Sequence, residues 1–89
     1  MKSKITEAQA RRLRVGDQLI VLRTHRNQHG QWLRAGLHGV VRSTDNDGPY
    51  FSYEVQWSTE PHGRVRADGP TTWVWARHED PIALRRRGR

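Results

Sequence analysis

The chain has no cysteine, only two lysines and no long apolar run. The absence of cysteine excludes a disulfide framework and thiolate metal sites, and it suits a reducing compartment. No stretch is long enough to span a bilayer, and the start "MKSKITEAQARRLR" lacks the apolar run that follows the charges of a signal peptide. The sequence therefore predicts a soluble, cytoplasmic protein.

Acidic residues are also scarce, so the chain is strongly basic. Its formal net charge is +7 at pH 7, its isoelectric point is near 11.3, and fourteen of its sixteen basic residues are arginine. The arginine guanidinium is a planar fork that pairs with phosphate or carboxylate and stacks on flat rings, so this bias favours an anionic partner. A GC-rich genome would also raise the arginine content without any functional demand.

Charge is unevenly distributed along the chain. Residues 18–44 contain four arginines and no acid, whereas residues 45–60 contain four acidic residues and no base. This distribution predicts a domain with a basic side and an acidic side. The C-terminal residues 85–89 are predicted to form a disordered basic tail, which would add phosphate contacts or aid solubility.

The length of 89 residues fits one small domain. A domain of this size buries only a modest fraction of its surface, so an enclosed active-site cavity would compete with the core. A module that binds its ligand on the surface is the easier solution.

A short helix is predicted near the N-terminus. Thr6 followed by Glu7 is typical of an N-cap with an acidic first turn, and Gly16 is expected to lie beyond the helix end. The prediction is a helix over about residues 6–14. Its apolar residues form only a partial stripe, so the helix should cover a core made by other elements.

After the helix, the sequence consists of short β-like runs separated by polar turns. Five runs are predicted as strands: "QLIVLRT", "LHGVVRST", "YFSYEVQWS", "TTWVWAR" and "PIAL". The third alternates apolar and polar residues, which predicts a buried side with Trp57 and a solvent-facing side with Gln56 and Ser58. At least one of Trp73 and Trp75 is expected to cover the core as well.

The connections between these runs suggest a small barrel. "TDNDGPY" predicts a tight hairpin between the second and third runs, while "HRNQHGQWLRAG" and "TEPHGRVRADGP" are longer. The sequence therefore predicts a mainly β fold: a five-stranded small barrel over about residues 16–84, within a single domain 1–84. Closing the sheet removes exposed edges, which lets a chain with few apolar residues form a stable domain.

The segments "VGDQLIVLR", "AGLHGVVR", "YEVQW" and "WARHEDPIAL" resemble the SH3-like small barrels, including the KOW-type group. In those barrels a Gly-Asp opens the first strand and a Gly-x-x-Gly-x-Val stretch enters the second; Gly16-Asp17 and the stretch from Gly36 to Val40 stand in these places. "DGPYFSYEVQW" and "PHG" further resemble a small actinobacterial domain family of unknown function, with Gln56 where that family has arginine. The resemblance implies an SH3-like fold, which admits nucleic-acid binding, peptide binding or docking onto larger enzymes.

Trp32 is the principal candidate for ligand contact. It lies in the first long connection, among His29, Arg26 and Arg34. An aromatic side chain surrounded by cations on a loop suits the stacking of unpaired bases, which is worth about 1–3 kcal/mol per base. The alternative is that Trp32 and Leu33 fold back and plug one open end of the barrel.

The histidines do not predict a metal site. His25 and His29 have the spacing of a metal-binding pair but lie in a loop without a nearby acidic third ligand. "DNDG" is similar to the start of a calcium loop but lacks the distal glutamate, so a turn explains it better. His38, close to two glycines, is expected at a β-bulge. No metal or cofactor is predicted.

The sequence offers little for catalysis. It has no nucleophile elbow, no phosphate-cradling glycine loop and no cysteine nucleophile. His78, Glu79 and Asp80 could serve as an acid/base group, but they precede Pro81 in an ordinary polar turn. We therefore expect that the protein is not an enzyme.

Two functions from different classes remain open. One is a small basic nucleic-acid-binding module, with RNA or single-stranded DNA favoured because no groove-reading helix is evident. Its predicted site combines arginines with one stacking aromatic residue: Arg23, Arg26, Trp32, Arg34, Arg42, Arg85, Arg86 and Arg87. The other is a protein-interaction module that docks on an acidic partner protein. No membrane partner is predicted, and the oligomeric state stays open.

Overall fold

The computed structural model describes residues 3–27, 30–45, 51–65, 73–77 and 79–85, with the backbone alone for residues 73–75. Within these ranges the protein is mainly β, with one short helix and seven strands. The elements are α1 (Glu7–Arg11), β1 (Gln18–Val21), β2 (His25–Arg26), β3 (Trp32–Leu33), β4 (Leu37–Asp45), β5 (Ser52–Pro61), β6 (Trp73–Ala76) and β7 (Ile82–Leu84).

Five of the strands form one antiparallel sheet in the order β6-β5-β4-β1-β7, and β2 pairs with β3 in a separate two-stranded sheet. The five predicted runs are confirmed as the strands of the larger sheet. The prediction of five strands missed β2 and β3, which lie inside the first long connection. Strands of two residues are too short to show the alternation from which a strand is predicted.

The predicted closure of the sheet is not found in the part of the chain that the structure describes. No pairing there joins β6 to β7, although these are the two edge strands. The free edge of β7 is occupied instead, because the backbone N–H of Ile5 donates to the carbonyl oxygen of Ile82 at 2.7 Å. The segment before the helix thus covers an edge that would otherwise be open for pairing.

The predicted N-cap of the helix is confirmed. The Thr6 hydroxyl accepts the backbone N–H of Gln9 at 3.1 Å, and the Gln9 side chain accepts the backbone N–H of Thr6 at 3.0 Å. This reciprocal capping box satisfies two backbone donors that a helix start leaves without partners. Ile5 and Ala10 are buried, so the helix covers the core as expected. The one helix of the described residues is far too short to cross a membrane.

The helix ends at Arg11, three residues before the predicted end. The Asp17 carboxylate accepts the backbone N–H of Arg14 at 2.9 Å, which forms a turn with Gly16 at a φ of 101°. Gly16 then donates to the carbonyl oxygen of Val41 at 2.8 Å, and Val41 donates back to Asp17 at 2.9 Å. The chain therefore leaves the helix in a turn that brings Gly16 and Asp17 into pairing beside β4.

The core lies on one side of the sheet, under the helix. Its members are buried apolar side chains: Ile5, Ala10, Leu13, Leu19, Val21, Leu33, Leu37, Val41, Tyr53, Val55, Trp57, Ala76 and Ile82. The expected burial of Trp57 is confirmed. The two tryptophans of β6 are paired with β5 by backbone register, Trp73 with Gln56 and Trp75 with Glu54. The expectation that one of them covers the core concerns side chains outside the described residues.

The solvent-facing side predicted for β5 is wrong at Gln56 and Ser58, which are both buried. The Gln56 side-chain oxygen accepts Nε of Arg42 at 2.7 Å. The Ser58 hydroxyl accepts the backbone N–H of His38 at 3.1 Å and donates to the carbonyl oxygen of Glu60 at 2.8 Å. Each buried polar group thus has a partner, which makes its burial tolerable.

The β4–β5 register is irregular at two points. Between Leu37 and Gly39, where a bulge is predicted at His38, the register does shift, but the extra residues are on β5, and the Ser58 hydroxyl accepts the His38 N–H in place of a backbone carbonyl. Between Val41 and Ser43, Arg42 is an extra residue on β4. Bulges bend a strand and re-aim the side chains beside them. The residues at the two irregularities, His38 and Arg42, are the hydrogen-bond partners of the buried Ser58 and Gln56.

Gly39 lies beneath the Trp57 ring. A Cβ atom at Gly39 would be 2.5 Å from Cγ1 of Val55 and 2.6 Å from Cε3 of Trp57. Such distances are far below van der Waals contact, so the ring and the backbone can approach this closely only at a glycine.

We expect Gly39→Ala to lower the free energy of unfolding by about 1–3 kcal/mol, the usual cost of forcing extra volume into a packed core. Urea denaturation measures this change. The comparison variant is Gly30→Ala, where the φ of 79° strains an alanine but the nearest atoms to its Cβ belong to the flexible end of the Arg26 side chain. An unchanged free energy of unfolding in Gly39→Ala would contradict the role of the Trp57 contact.

The buried phenol of Tyr53 should make stability sensitive to alkaline pH. Its hydroxyl donates to the carbonyl oxygen of Arg77 at 3.2 Å, at the turn that leads from β6 to β7. Burial, and secondarily the carboxylates of Asp80 and Glu79, raise the pKa of Tyr53 above its ordinary value of 10.0. Folding therefore keeps the phenol protonated at a pH where the unfolded chain ionises.

We expect stability to fall as the pH rises above about 10, by up to about 1.4 kcal/mol per pH unit for this one proton. The sign follows because the unfolded state then binds fewer protons than the folded state. Tyr53→Phe should remove this contribution while costing about 1 kcal/mol at pH 7 for the lost hydrogen bond. Urea denaturation from pH 8 to pH 12 measures both effects, and an unchanged slope in the variant would contradict the assignment.

Candidate functional site

The β2–β3 hairpin brings three of the predicted site residues together. Its register pairs Arg26 with Trp32 and His25 with Leu33. Residues paired across two antiparallel strands point to the same face, so the hairpin has two distinct sides. Leu33 is 5% exposed, whereas Trp32 is 67% exposed and Arg26 is also exposed. Arg34 follows Leu33 directly and is exposed as well.

The two alternatives for the first long connection each hold for one residue, because Trp32 and Leu33 lie on opposite sides of β3. Leu33 folds back into the core, which is what the plug alternative predicts for both Trp32 and Leu33. Trp32 instead lies in solvent, as the stacking alternative requires. The inward and outward positions are successive residues of one short strand, which is why one is buried and the other is not.

The hairpin is closed by hydrogen bonds at both of its ends. At its tip, the Asn27 side-chain oxygen accepts the backbone N–H of Gln31 at 2.9 Å, and the backbone N–H of Asn27 donates to the carbonyl oxygen of Gln31. At its base, the Thr24 hydroxyl accepts the backbone N–H of Ala35 at 3.0 Å. The indole of Trp32 is therefore presented by an anchored element, which lowers the entropy lost when a ligand binds it.

The Arg26 guanidinium lies over the hairpin turn. Its Nε donates to the carbonyl oxygen of Gly30 at 3.1 Å, and its Nη2 comes within 3.2 Å of where a Gly30 Cβ would be. Its other donors have no hydrogen-bond partner among the described residues and are available for an anion near Trp32. Arg23, exposed, lies just before the hairpin, where its carbonyl oxygen contacts the His25 ring at 2.7 Å.

The remaining predicted site residues lie elsewhere. Arg42 is five positions beyond Leu37 on β4, roughly 16 Å along the strand, and its side chain holds Gln56. Arg85 extends the β1–β7 pairing, since its backbone N–H donates to the carbonyl oxygen of Gln18 at 2.8 Å. This part of the predicted tail is thus paired to β1. Arg86 and Arg87 lie outside the described residues.

A polar groove opens on the face of the sheet opposite the core, with a volume of about 380 Å³. It is lined by Gln18, His38, Gly39, Val40, His62, Gly63, Arg64, Val65 and Arg85. Of these only Arg85 was a predicted site residue. Residues from four separated segments meet here, and no spacing in the sequence relates these segments to one another, so the sequence held no signal that could have joined them.

The groove and the hairpin contain no evident metal site. Within the described ranges, no three side chains of His, Asp or Glu approach closely enough to share a metal ion. His25 is turned toward a backbone carbonyl, and His29 lies outside those ranges. The arginine and aromatic side chains suit anions and flat rings instead.

Comparison with protein-family models, with curated proteins and with solved structures finds no match to this chain.

We expect Trp32 to be the more accessible of the two tryptophans whose side chains are described. Trp57 is 7% exposed and Trp32 is 67% exposed. Trp32→Phe should therefore remove a strongly quenched component from the tryptophan fluorescence in acrylamide, whereas Trp57→Phe should remove a weakly quenched one. Equal loss of quenchable emission in the two variants would contradict the exposure of the hairpin face.

Proposed function

We propose that this chain is an SH3-like small-barrel module that binds single-stranded nucleic acid, RNA in the first place, on the exposed face of the β2–β3 hairpin. The strand order supports the barrel part of the proposal, because it places the last strand beside the first, as closure of a five-stranded barrel requires. The two irregularities of β4 and β5 supply the bending that such closure needs.

The observation that carries the binding part is the exposure of Trp32 opposite Arg26. A large apolar ring in solvent costs free energy unless a ligand covers it, and every base has a face that can stack on an indole. The cross-strand arginine stands where it can meet the phosphate that flanks a stacked base. Stacking and charge are thus available within one pair of residues.

The charge around the hairpin supports the same proposal. Between Arg23 and Arg34 there is no acidic residue, and both of these arginines and Arg26 are exposed. Three phosphate contacts would make the logarithm of the affinity for a single strand fall with the logarithm of salt concentration by a slope of about −2. Arg86 and Arg87 would add further phosphate contacts to the same interaction.

The two-residue strands favour unpaired bases over a duplex. The exposed face of the hairpin is short, and it offers one ring without a helix that could enter a major groove. Unpaired bases are splayed and can reach such a ring, whereas stacked bases inside a duplex cannot. The preference is expected to be for single-stranded character and only weakly for sequence, because every base has a face that can stack on an indole.

Docking on an acidic partner protein stays the alternative proposal. Exposed tryptophan and arginine also anchor protein interfaces. Two measurements on oligonucleotides separate the two proposals: the dependence of affinity on salt concentration and the contribution of Trp32 to binding. A module that docks on a folded protein need not bind oligonucleotides at all.

The test is fluorescence anisotropy of labelled single-stranded RNA and DNA oligonucleotides, titrated with the protein at several salt concentrations. We expect binding that weakens about 100-fold between 50 and 500 mM salt, as three phosphate contacts predict. Trp32→Ala should weaken binding at least fivefold, the lower end of the range for one stacked base. Val15→Ala removes another exposed apolar side chain, 64% exposed, and should leave binding unchanged.

An equal effect of Trp32→Ala and Val15→Ala would contradict the stacking role. Absence of salt-sensitive binding to any single strand would contradict the proposed function as a whole. Capture of an acidic protein that survives nuclease treatment and depends on Trp32 would then support the docking alternative.

A further inference from the structure

The groove on the outer face of the sheet is separate from the exposed face of the hairpin and has a different chemistry. Its lining includes two arginines, Arg64 and Arg85, and two histidines, His38 and His62, and it contains no acidic side chain. Neither arginine forms an ion pair with a described residue. The groove therefore concentrates positive charge that nothing described in the fold neutralises.

Arg85 is positioned by β1. Its backbone N–H donates to the carbonyl oxygen of Gln18, and its Nη1 lies 3.4 Å from the Gln18 side-chain oxygen. Gln18 is itself set by its pairing with Val40 on β4. One donor of the guanidinium is thereby used for orientation, and the others have no partner in the described part of the chain and are available for a ligand.

His62 is held at the groove by an unusual backbone. It has a φ of 60°, and it is the one described residue other than glycine with a positive φ. Its backbone N–H donates to the carbonyl oxygen of Gly36 at 2.7 Å, which fixes the turn. Glycine would adopt this conformation without the cost that a side chain incurs, so a histidine here suggests a role for its imidazole.

The ring of His62 packs between Gly36 and His38. A Cβ atom at Gly36 would lie 3.0 Å from Nε2 of His62 and 3.3 Å from Cβ of Pro61, and Gly36 itself has a φ of 89°, so glycine is the residue that fits beside this ring. On its other side the ring meets His38 edge to face, with centroids 5.5 Å apart and an angle of 84° between the planes. The positive φ of His62 and the absence of a side chain at Gly36 thus both allow the two imidazoles to meet.

We propose that this groove is a second binding site, which takes the phosphate group of a phosphorylated ligand between Arg64 and Arg85, with the imidazoles of His38 and His62 as further polar contacts. A carboxylate is satisfied by a single guanidinium fork. Two forks and two imidazoles offer donors from several directions, which suits the three or four oxygens of a phosphate. The volume of about 380 Å³ exceeds that of the phosphate alone and leaves room for an organic part.

The phosphate could come from a free phosphomonoester or from the backbone of a nucleic-acid strand. In the second case the inference rests on the proposed function, because the same strand would also occupy the hairpin. In the first case the groove serves a small molecule and stands independently of the hairpin. The experiment is designed to distinguish these two sources.

The test titrates the protein with inorganic phosphate, adenosine 5′-monophosphate and acetate, and follows the backbone amide resonances of Gly39 and Gly63 by NMR. Both phosphates should shift these resonances with saturation, and acetate should bind at least tenfold more weakly. Arg64→Ala and Arg85→Ala should each weaken phosphate binding about tenfold. Arg12→Ala removes one exposed positive charge next to the helix and is the matched control, which should leave the affinity unchanged.

Equal affinity for phosphate in all three arginine variants would overturn the proposal. An affinity for acetate equal to that for phosphate would overturn it too. With an oligonucleotide lacking a terminal phosphate, weaker binding of Arg64→Ala than of Arg12→Ala assigns the site to a strand phosphate. Phosphate binding without any oligonucleotide binding would leave the groove standing and reject the proposed function. If Trp32→Ala loses oligonucleotide binding and no phosphate binds at the groove, the proposed function stands and the groove is rejected.

A second variant tests the role of His62 without relying on lost structure. His62→Gly places the residue best suited to a φ of 60° at this position, so thermal stability should not decrease. The same variant should weaken binding of inorganic phosphate at least threefold. Unchanged phosphate affinity in this stable variant would remove the imidazole from the proposed site.

Discussion

The contact between the Trp57 ring and Gly39 is the constraint on which the rest of the structure depends. Because the ring lies directly on the backbone of β4, the two longest strands can approach only where β4 has no side chain. The regular register then fails on one side of this pair, and His38 and Ser58 take up the mismatch by bonding to each other. The close packing of a small core thus sets the irregularity beside it.

The same constraint separates the two candidate surfaces from the core. A core built from few apolar residues needs large rings on its inner face, and Tyr53 and Trp57 provide them. The polar residues Gln56 and Ser58, which alternate with these rings, are buried against Arg42 and His38 of β4, and His38 also lines the groove. The hairpin adds a second polar surface. Leu33 anchors it in the core, and the indole of Trp32 is exposed on it.

Sequence reasoning predicted the elements that local chemistry specifies. Thr6 and Gln9 are three residues apart and cap a helix wherever the chain places it, and alternation assigned Trp57 to the core correctly. It failed at Gln56 and Ser58, because burial of these polar groups depends on partners that are 14 and 20 residues away along the chain. It also missed the β2–β3 hairpin, whose strands are too short to leave a periodic pattern.

By itself, then, the sequence determined the β class, the positions of the five main strands, the helix cap and the excess of arginine. These follow from residue type and from spacing of a few positions, which act within one element. Only the tertiary structure decided that Trp32 is exposed while Leu33 is buried, and that Arg64, Arg85, His38 and His62 share a groove. Those facts depend on strand pairing and on close approaches between distant segments, which no local pattern encodes.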